Sequence, residues 1–227
     1  MRYVSILGDS ISTYQGFNPA GYAVYYDLGN NRRNGLRSVY DTWWAKVNQG
    51  LHAYLCVNNS YSGSRVTGKT VPAGTDNRRI LGLRTETRSP NIILVYLGVN
   101  DYGYGAELKR SRTLPGSPWD RMAFEDAYDL MLRKLKKQYP NTVVSCGTLM
   151  RTTKKDHPNW IFPETLAAYP LEAYNEIIRE AAVRNRCLLV DLSAMDRRYE
   201  TLDGFHPTAG GHRTIAECWL SGLTRLM

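Results

Sequence analysis

The chain has 227 residues, 43% hydrophobic and 22% charged, with a formal charge of +8 and a pI near 9.3. This composition is that of a globular protein of one substantial core, and no stretch approaches the ~20 apolar residues of a membrane helix. The basic residues are scattered as pairs, among them Arg32-Arg33, Arg78-Arg79 and Lys136-Lys137, without a long basic run. They read as solvated surface, which argues against nucleic acid and membrane as partners.

In chain order, short apolar runs predict strands over residues 3–8, 54–58, 91–97, 142–148 and 187–191. Amphipathic stretches predict helices over 40–51, 76–87, 120–138, 169–185 and 208–223. Runs such as Leu188-Leu189-Val190 are apolar on both faces, as parallel strands covered by helices require. The βαβ alternation predicts one α/β domain over residues 1–227, a three-layer α/β/α sandwich with right-handed crossovers. The chain enters its first strand directly from Met1, without a signal-like apolar core. It therefore reads as cytoplasmic, or as secreted or periplasmic if a signal peptide has been removed. Cys56, Cys146, Cys187 and Cys218 are widely spaced and read as free thiols. No His or Cys spacing fits zinc, so no metal is expected.

Four segments carry chemistry. The first strand ends in Gly8-Asp9-Ser10, which presents a hydroxyl where sheet meets helix. In open α/β sheets ligands bind at that carboxyl edge. Asn58-Asn59-Ser60-Tyr61-Ser62-Gly63-Ser64 and Gly98-Val99-Asn100-Asp101 follow the next two strands on the same edge. The former also contains a glycosylation sequon at Asn58, placed where use is not expected. Near the other end, Asp203-Gly204-Phe205-His206-Pro207 puts a carboxylate and an imidazole on one loop before the last helix. A serine hydroxyl becomes a competent nucleophile when an imidazole takes its proton, and a carboxylate fixes that imidazole's tautomer. Taken singly, Ser10 reads as a helix N-cap and Gly63 or Asn100 as turn residues. Together, in order and at strand ends, they read as an ester-cleaving site.

On these segments the chain resembles the SGNH hydrolases, the GDSL-like esterase family. The resemblance implies a flavodoxin-like five-stranded parallel sheet, Ser10 as nucleophile, His206 as base and Asp203 as its acid partner. It also implies an oxyanion hole from the Ser10 and Gly63 backbone N–H groups and the Asn100 amide, with no cofactor.

Three loops on the same edge are too long for tight connections: residues 11–39, 101–119 and 149–168. Loops of that length are usually functional. They hold Tyr25, Tyr102, Arg110, Arg112, Arg151 and Trp160, residue types that suit sugar faces or carboxylates. Tyr25, Tyr102, Arg151 and Trp160 are the candidate substrate contacts. The expected substrate is a small acyl ester, an acetyl ester above all, of a carbohydrate or similar polar molecule. The alternatives are a thioesterase or lysophospholipase, and a carbohydrate-binding module without turnover.

Overall fold

The computed structural model describes residues 1–68, 72–109 and 119–226. The strands are β1 (Arg2–Gly8), β2 (Ala53–Asn58), β3 (Ile92–Tyr96), β4 (Val143–Gly147), β5 (Thr152–Lys154), β6 (Leu188–Val190) and β7 (Tyr199–Thr201). The α-helices are α1 (Leu28–Asn34), α2 (Trp43–Gly50), α3 (Asn77–Leu81), α4 (Val99–Tyr104), α5 (Phe124–Gln138), α6 (Leu171–Arg184) and α7 (Ala209–Leu226).

Five strands form a parallel sheet in the order β2-β1-β3-β4-β6, while β5 and β7 pair separately. That order is the doubly wound, flavodoxin-like one, whose crevice opens between β1 and β3 where the winding reverses. Register puts Gly8 beside Tyr96 and Ile6 beside Asn58, so the first three strands end on a common edge. The period of two in β3 divides the core. Tyr96 packs on Trp43 of α2 and Trp219 of α7, whereas Leu97 faces the side where Met131 of α5 packs. All five residues of β3 are buried.

Each predicted strand is present within a residue or two, but several helices differ from expectation. The stretch 40–51 is a 3₁₀ turn, Val39–Asp41, followed by α2, because Thr42 caps a new helix by accepting the Ala45 N–H. The predicted helix 76–87 stops after Leu81. Asn59 Nδ2 donates to the Arg79 carbonyl at 2.8 Å and Ser5 Oγ to the Leu83 carbonyl at 2.7 Å, drawing the chain onto the sheet. The helix predicted from 120 starts at Phe124. Two of the long loops contain α1 and α4, which carry no strong amphipathic signal. Among the described residues no helix is long and apolar enough to cross a membrane.

Candidate active site

Ser10 is set by the end of β1. Gly8 allows the turn to close, since a Cβ there would lie 2.5 Å from Ser12 Oγ. Asp9 then caps the 3₁₀ turn Ser10–Ser12, its carboxylate accepting the Ile11 N–H at 3.0 Å. Burial of Asp9 raises its carboxyl to about 7, against the Ile11 N–H and the Arg79 charge, which lower it.

The late loop comes to the same point. Asp203 Oδ1 accepts the N–H groups of Phe205 at 2.9 Å and His206 at 2.8 Å, a turn closed by Gly204 at φ +99°. Asp203 Oδ2 lies 2.7 Å from His206 Nδ1, and His206 Nε2 lies 2.9 Å from Ser10 Oγ. The structure thus joins residues 196 positions apart. Those partners fix the tautomer: Nδ1–H donates to Asp203, and Nε2 accepts from the Ser10 hydroxyl. Burial pushes the Asp203 carboxyl up, but the His206 ring and the two backbone N–H groups outweigh it and hold the carboxyl well below its usual range.

Opposite lie Gly63 and Asn100. Gly63 sits at φ +79° with open space on its Cβ side, a conformation that favours glycine. The Ser10 and Gly63 amide N–H groups donate to no other described residue. Asn100 Nδ2 donates to the Ser64 carbonyl at 2.9 Å, which orients its amide beside Gly63. Ser10, Gly63, Asn100 and His206 all line one cleft of about 340 Å³. Tyr25, Ile11, Val99, Leu166, Phe205 and Tyr104 supply its apolar walls. Among the described residues no cluster of three His, Cys, Asp or Glu could hold a metal ion.

Two buried ions support the oxyanion side. Asp101 accepts the Val66 N–H at 2.7 Å, the Thr67 N–H at 3.0 Å and the Thr67 hydroxyl at 2.7 Å. Burial raises its carboxyl to about 6, although those donors pull it down. The Arg79 guanidinium donates to the carbonyls of Gly8 at 2.7 Å, Asn59 at 3.0 Å and Pro72 at 2.7 Å, and to the Ser64 hydroxyl. Arg79 therefore corrects the reading of the Arg78-Arg79 pair as solvated surface, because it is fully buried. Its burial lowers the guanidinium to about 10. Asn58, of the sequon, is buried with Nδ2 on the Ser12 carbonyl at 2.7 Å.

Of the four candidate substrate contacts, only Tyr25 lines the cleft. Tyr102 is a core residue instead, fully buried, stacked on Phe162 and bonded to the Pro163 carbonyl. Arg151 pairs with Glu164 at 2.7 Å away from the cleft lining. Trp160 packs against Gly204 and Phe162, beneath the late loop. Arg110 and Arg112 lie outside the described residues. Cleft residues not anticipated are Ile11, Val99, Gly103, Leu166 and Phe205; all but Leu166 lie in or beside a motif or its helix, the one signal that could have found them.

The family profile of GDSL-like lipases and acylhydrolases matches residues 2–162. The chain belongs to this family. The match includes Ser10, Gly63 and Asn100, while Asp203 and His206 lie beyond it and are placed by the geometry. Membership makes the chain an ester hydrolase of the GDSL type. Similar solved structures include a protein assigned as a GDSL-like lipase from Bacteroides uniformis, 27% identical, with a TM-score of 0.73 over 99% of this chain and 96% of that one. A counterpart from Bacteroides ovatus is 25% identical, with a TM-score of 0.73 over 100% and 99% of the two chains. A carbohydrate esterase family 2 enzyme with a carbohydrate-binding domain, from Corynascus thermopiles (Myceliophthora fergusii), shares the fold of this GDSL-like hydrolase. It is 18% identical, with a TM-score of 0.63 over 99% of this chain and 66% of that one. A comparison with curated proteins finds no match.

Proposed function

We propose that this hydrolase removes short acyl groups, of acetyl size, from a carbohydrate or similar polar alcohol through an acyl-Ser10 intermediate. The observation that carries the reading is the chain of contacts Asp203 Oδ2–His206 Nδ1 at 2.7 Å and His206 Nε2–Ser10 Oγ at 2.9 Å, opening on the cleft beside Gly63 and Asn100.

The chemistry follows from that geometry. Ser10 Oγ attacks the ester carbonyl carbon while its proton passes to His206 Nε2. The resulting imidazolium stays paired with Asp203, which keeps its negative charge. Negative charge on the former carbonyl oxygen meets the N–H groups of Ser10 and Gly63 and the free hydrogen of the Asn100 amide. As the tetrahedral intermediate collapses, His206 returns the proton to the alkoxide leaving group, and the acyl group remains on Ser10. Water then attacks the acyl-serine with His206 as base, releasing the carboxylic acid and restoring the hydroxyl.

The short-acyl half of the proposal is supported by the cleft's size, near the lower end of small-molecule sites. The polar-alcohol half is supported by the shared fold of the carbohydrate esterase and by the cleft's mouth. There Tyr104 is exposed, with Arg65 5.5 Å from its ring centroid. The loss of Tyr102, Arg151 and Trp160 as contacts shifts the weight from the loops to the cleft itself. Initial rates on aryl esters of increasing acyl length test this. The expected order is acetyl and propionyl well above octanoyl, with acetate released from acetylated sugars and none from the Ser10→Ala protein. A preference for octanoyl esters would contradict the short-acyl reading.

A further inference from the structure

Tyr25 stands apart from the other aromatic residues of its loop. Its ring lies flat on the His206 imidazole, centroids 3.5 Å apart and planes 5° from parallel. Every other described ring pair is at 4.9 Å or more. The Tyr25 backbone N–H donates to Thr13 Oγ1 at 2.9 Å, and that hydroxyl donates to the Ser10 carbonyl at 2.9 Å. The Tyr25 carbonyl accepts from the Asn30 side chain at 2.8 Å and the Asp27 N–H at 2.9 Å, which roots it on α1. Next in sequence, Tyr26 is fully buried and donates to the Pro207 carbonyl at 2.8 Å, just past His206. One dipeptide thus touches the nucleophile turn by its backbone and the acid–base loop by its rings.

We propose that Tyr25 is a positioning residue for ester hydrolysis: its ring fixes the plane of the His206 imidazole toward Ser10 and stabilises the imidazolium as it forms. The inference rests on the Ser10–His206–Asp203 reading above. Hydrogen bonds at the two nitrogens resist tilting out of the imidazole plane only weakly, and a ring stacked on its face blocks that tilt on one side. A cation over an aromatic face is also attracted by the ring's quadrupole. The other groups facing His206 are Ser10 and Asp203, with the buried His212 of α7 beyond. The Arg33 charge of α1 acts on Tyr25. The Tyr25 hydroxyl stands 3.5 Å from Asp203 Oδ2, too long to contribute much, and its other partner, the Asn34 side chain, belongs to α1 and not to the triad. The ring, not the hydroxyl, is therefore the working part.

The test is a double-mutant cycle on the full-length enzyme with a short aryl ester, with melting curves as a folding check. Tyr25→Leu fills similar space without a π face and is expected to lower kcat about 10- to 30-fold, with KM within about twofold, the range such a cation–π contact is worth. Tyr25→Phe keeps the ring and is expected to lose no more than about threefold. In a His206→Ala background, Tyr25→Leu should cost nothing further in the residual rate, because its effect passes through His206. An equal loss in that background, a change confined to KM, or a Phe variant as slow as the Leu variant overturns the proposal. Ser10→Ala, run alongside, separates the two readings. Residual turnover like that of the wild type would defeat the triad itself, whereas its abolition with no Tyr25→Leu effect defeats only the role of Tyr25.

Discussion

On the nucleophile side of the cleft, Asp9, Arg79 and Asp101 are buried ionisable groups whose polar atoms hold backbone, at 1%, 0% and 0% exposure. Across the cleft, the Asp203 side chain is 44% exposed and its loop is held by local N–H bonds, two tyrosines and Trp160. The first region must keep several N–H groups aimed at a point that no protein atom occupies, and hydrogen bonds to buried ionisable groups, strengthened by the low-dielectric interior, hold a backbone firmly. The second has one ring to orient, so a short turn and a stack suffice. Rigid placement of donors and local steering of a base are distinct tasks, and substitutions in the two regions should fail differently.

The sharpest contrast comes from the exposed side. Asp203→Asn is expected to lower kcat by about 10³- to 10⁴-fold by favouring the wrong tautomer, while costing only about 1 kcal/mol of stability at neutral pH, because the paired carboxylate is 44% exposed. Steady-state kinetics beside urea denaturation reads both; large destabilisation with little rate loss would erase the distinction between the regions. Arg79→Met should behave the other way. Four acceptors lose a charged donor in the interior, for an expected loss of about 3–5 kcal/mol, measured by urea unfolding. A loss below about 1 kcal/mol would show that water replaces the guanidinium at no great cost.

The smallest effect refines the picture of the buried side and depends on pH. The folded state holds Asp9's proton up to about 7, above its ordinary value of 3.8. Between those values the folded state binds more proton than the unfolded chain, so this group's contribution is fully present below 3.8 and is lost as pH rises toward 7. Asp203, held low, works in the opposite sense: its contribution is present above the ordinary carboxylate value and is lost on acidification. Asp9→Asn keeps an acceptor for the Ile11 N–H and removes the charge. It is expected to raise the urea midpoint relative to the wild type at pH 8 and not at pH 4. An equal shift at both pH values would remove titration as the cause.

Much of this was legible in the sequence because strand ends carry local signals. The apolar runs ending at Gly8, Asn58 and Leu97 locate the sheet's working edge, and the polar turns after them hold Ser10, Gly63 and Asn100. What escaped reading depends on contacts between distant segments. The β5–β7 pair joins two three-residue strands with no local periodicity to mark either. An arginine in a basic pair looks solvated until its guanidinium finds four interior acceptors. In a loop with four tyrosines, which ring reaches His206 is settled by α1 and Thr13, not by residue type. Tyr102, Arg151 and Trp160 have the chemistry of substrate contacts, but Pro163, Glu164 and Gly204 occupy them first.

The most direct measurement is to mix the enzyme with an aryl acetate, quench in acid during the initial burst, and map the acyl label by peptide mass spectrometry. The expected result is one acetyl group per chain on the peptide bearing Ser10, absent in Ser10→Ala and undiminished in the quenched Asp203→Asn protein given longer reaction. Turnover without a label, or a label on any other residue, would contradict it.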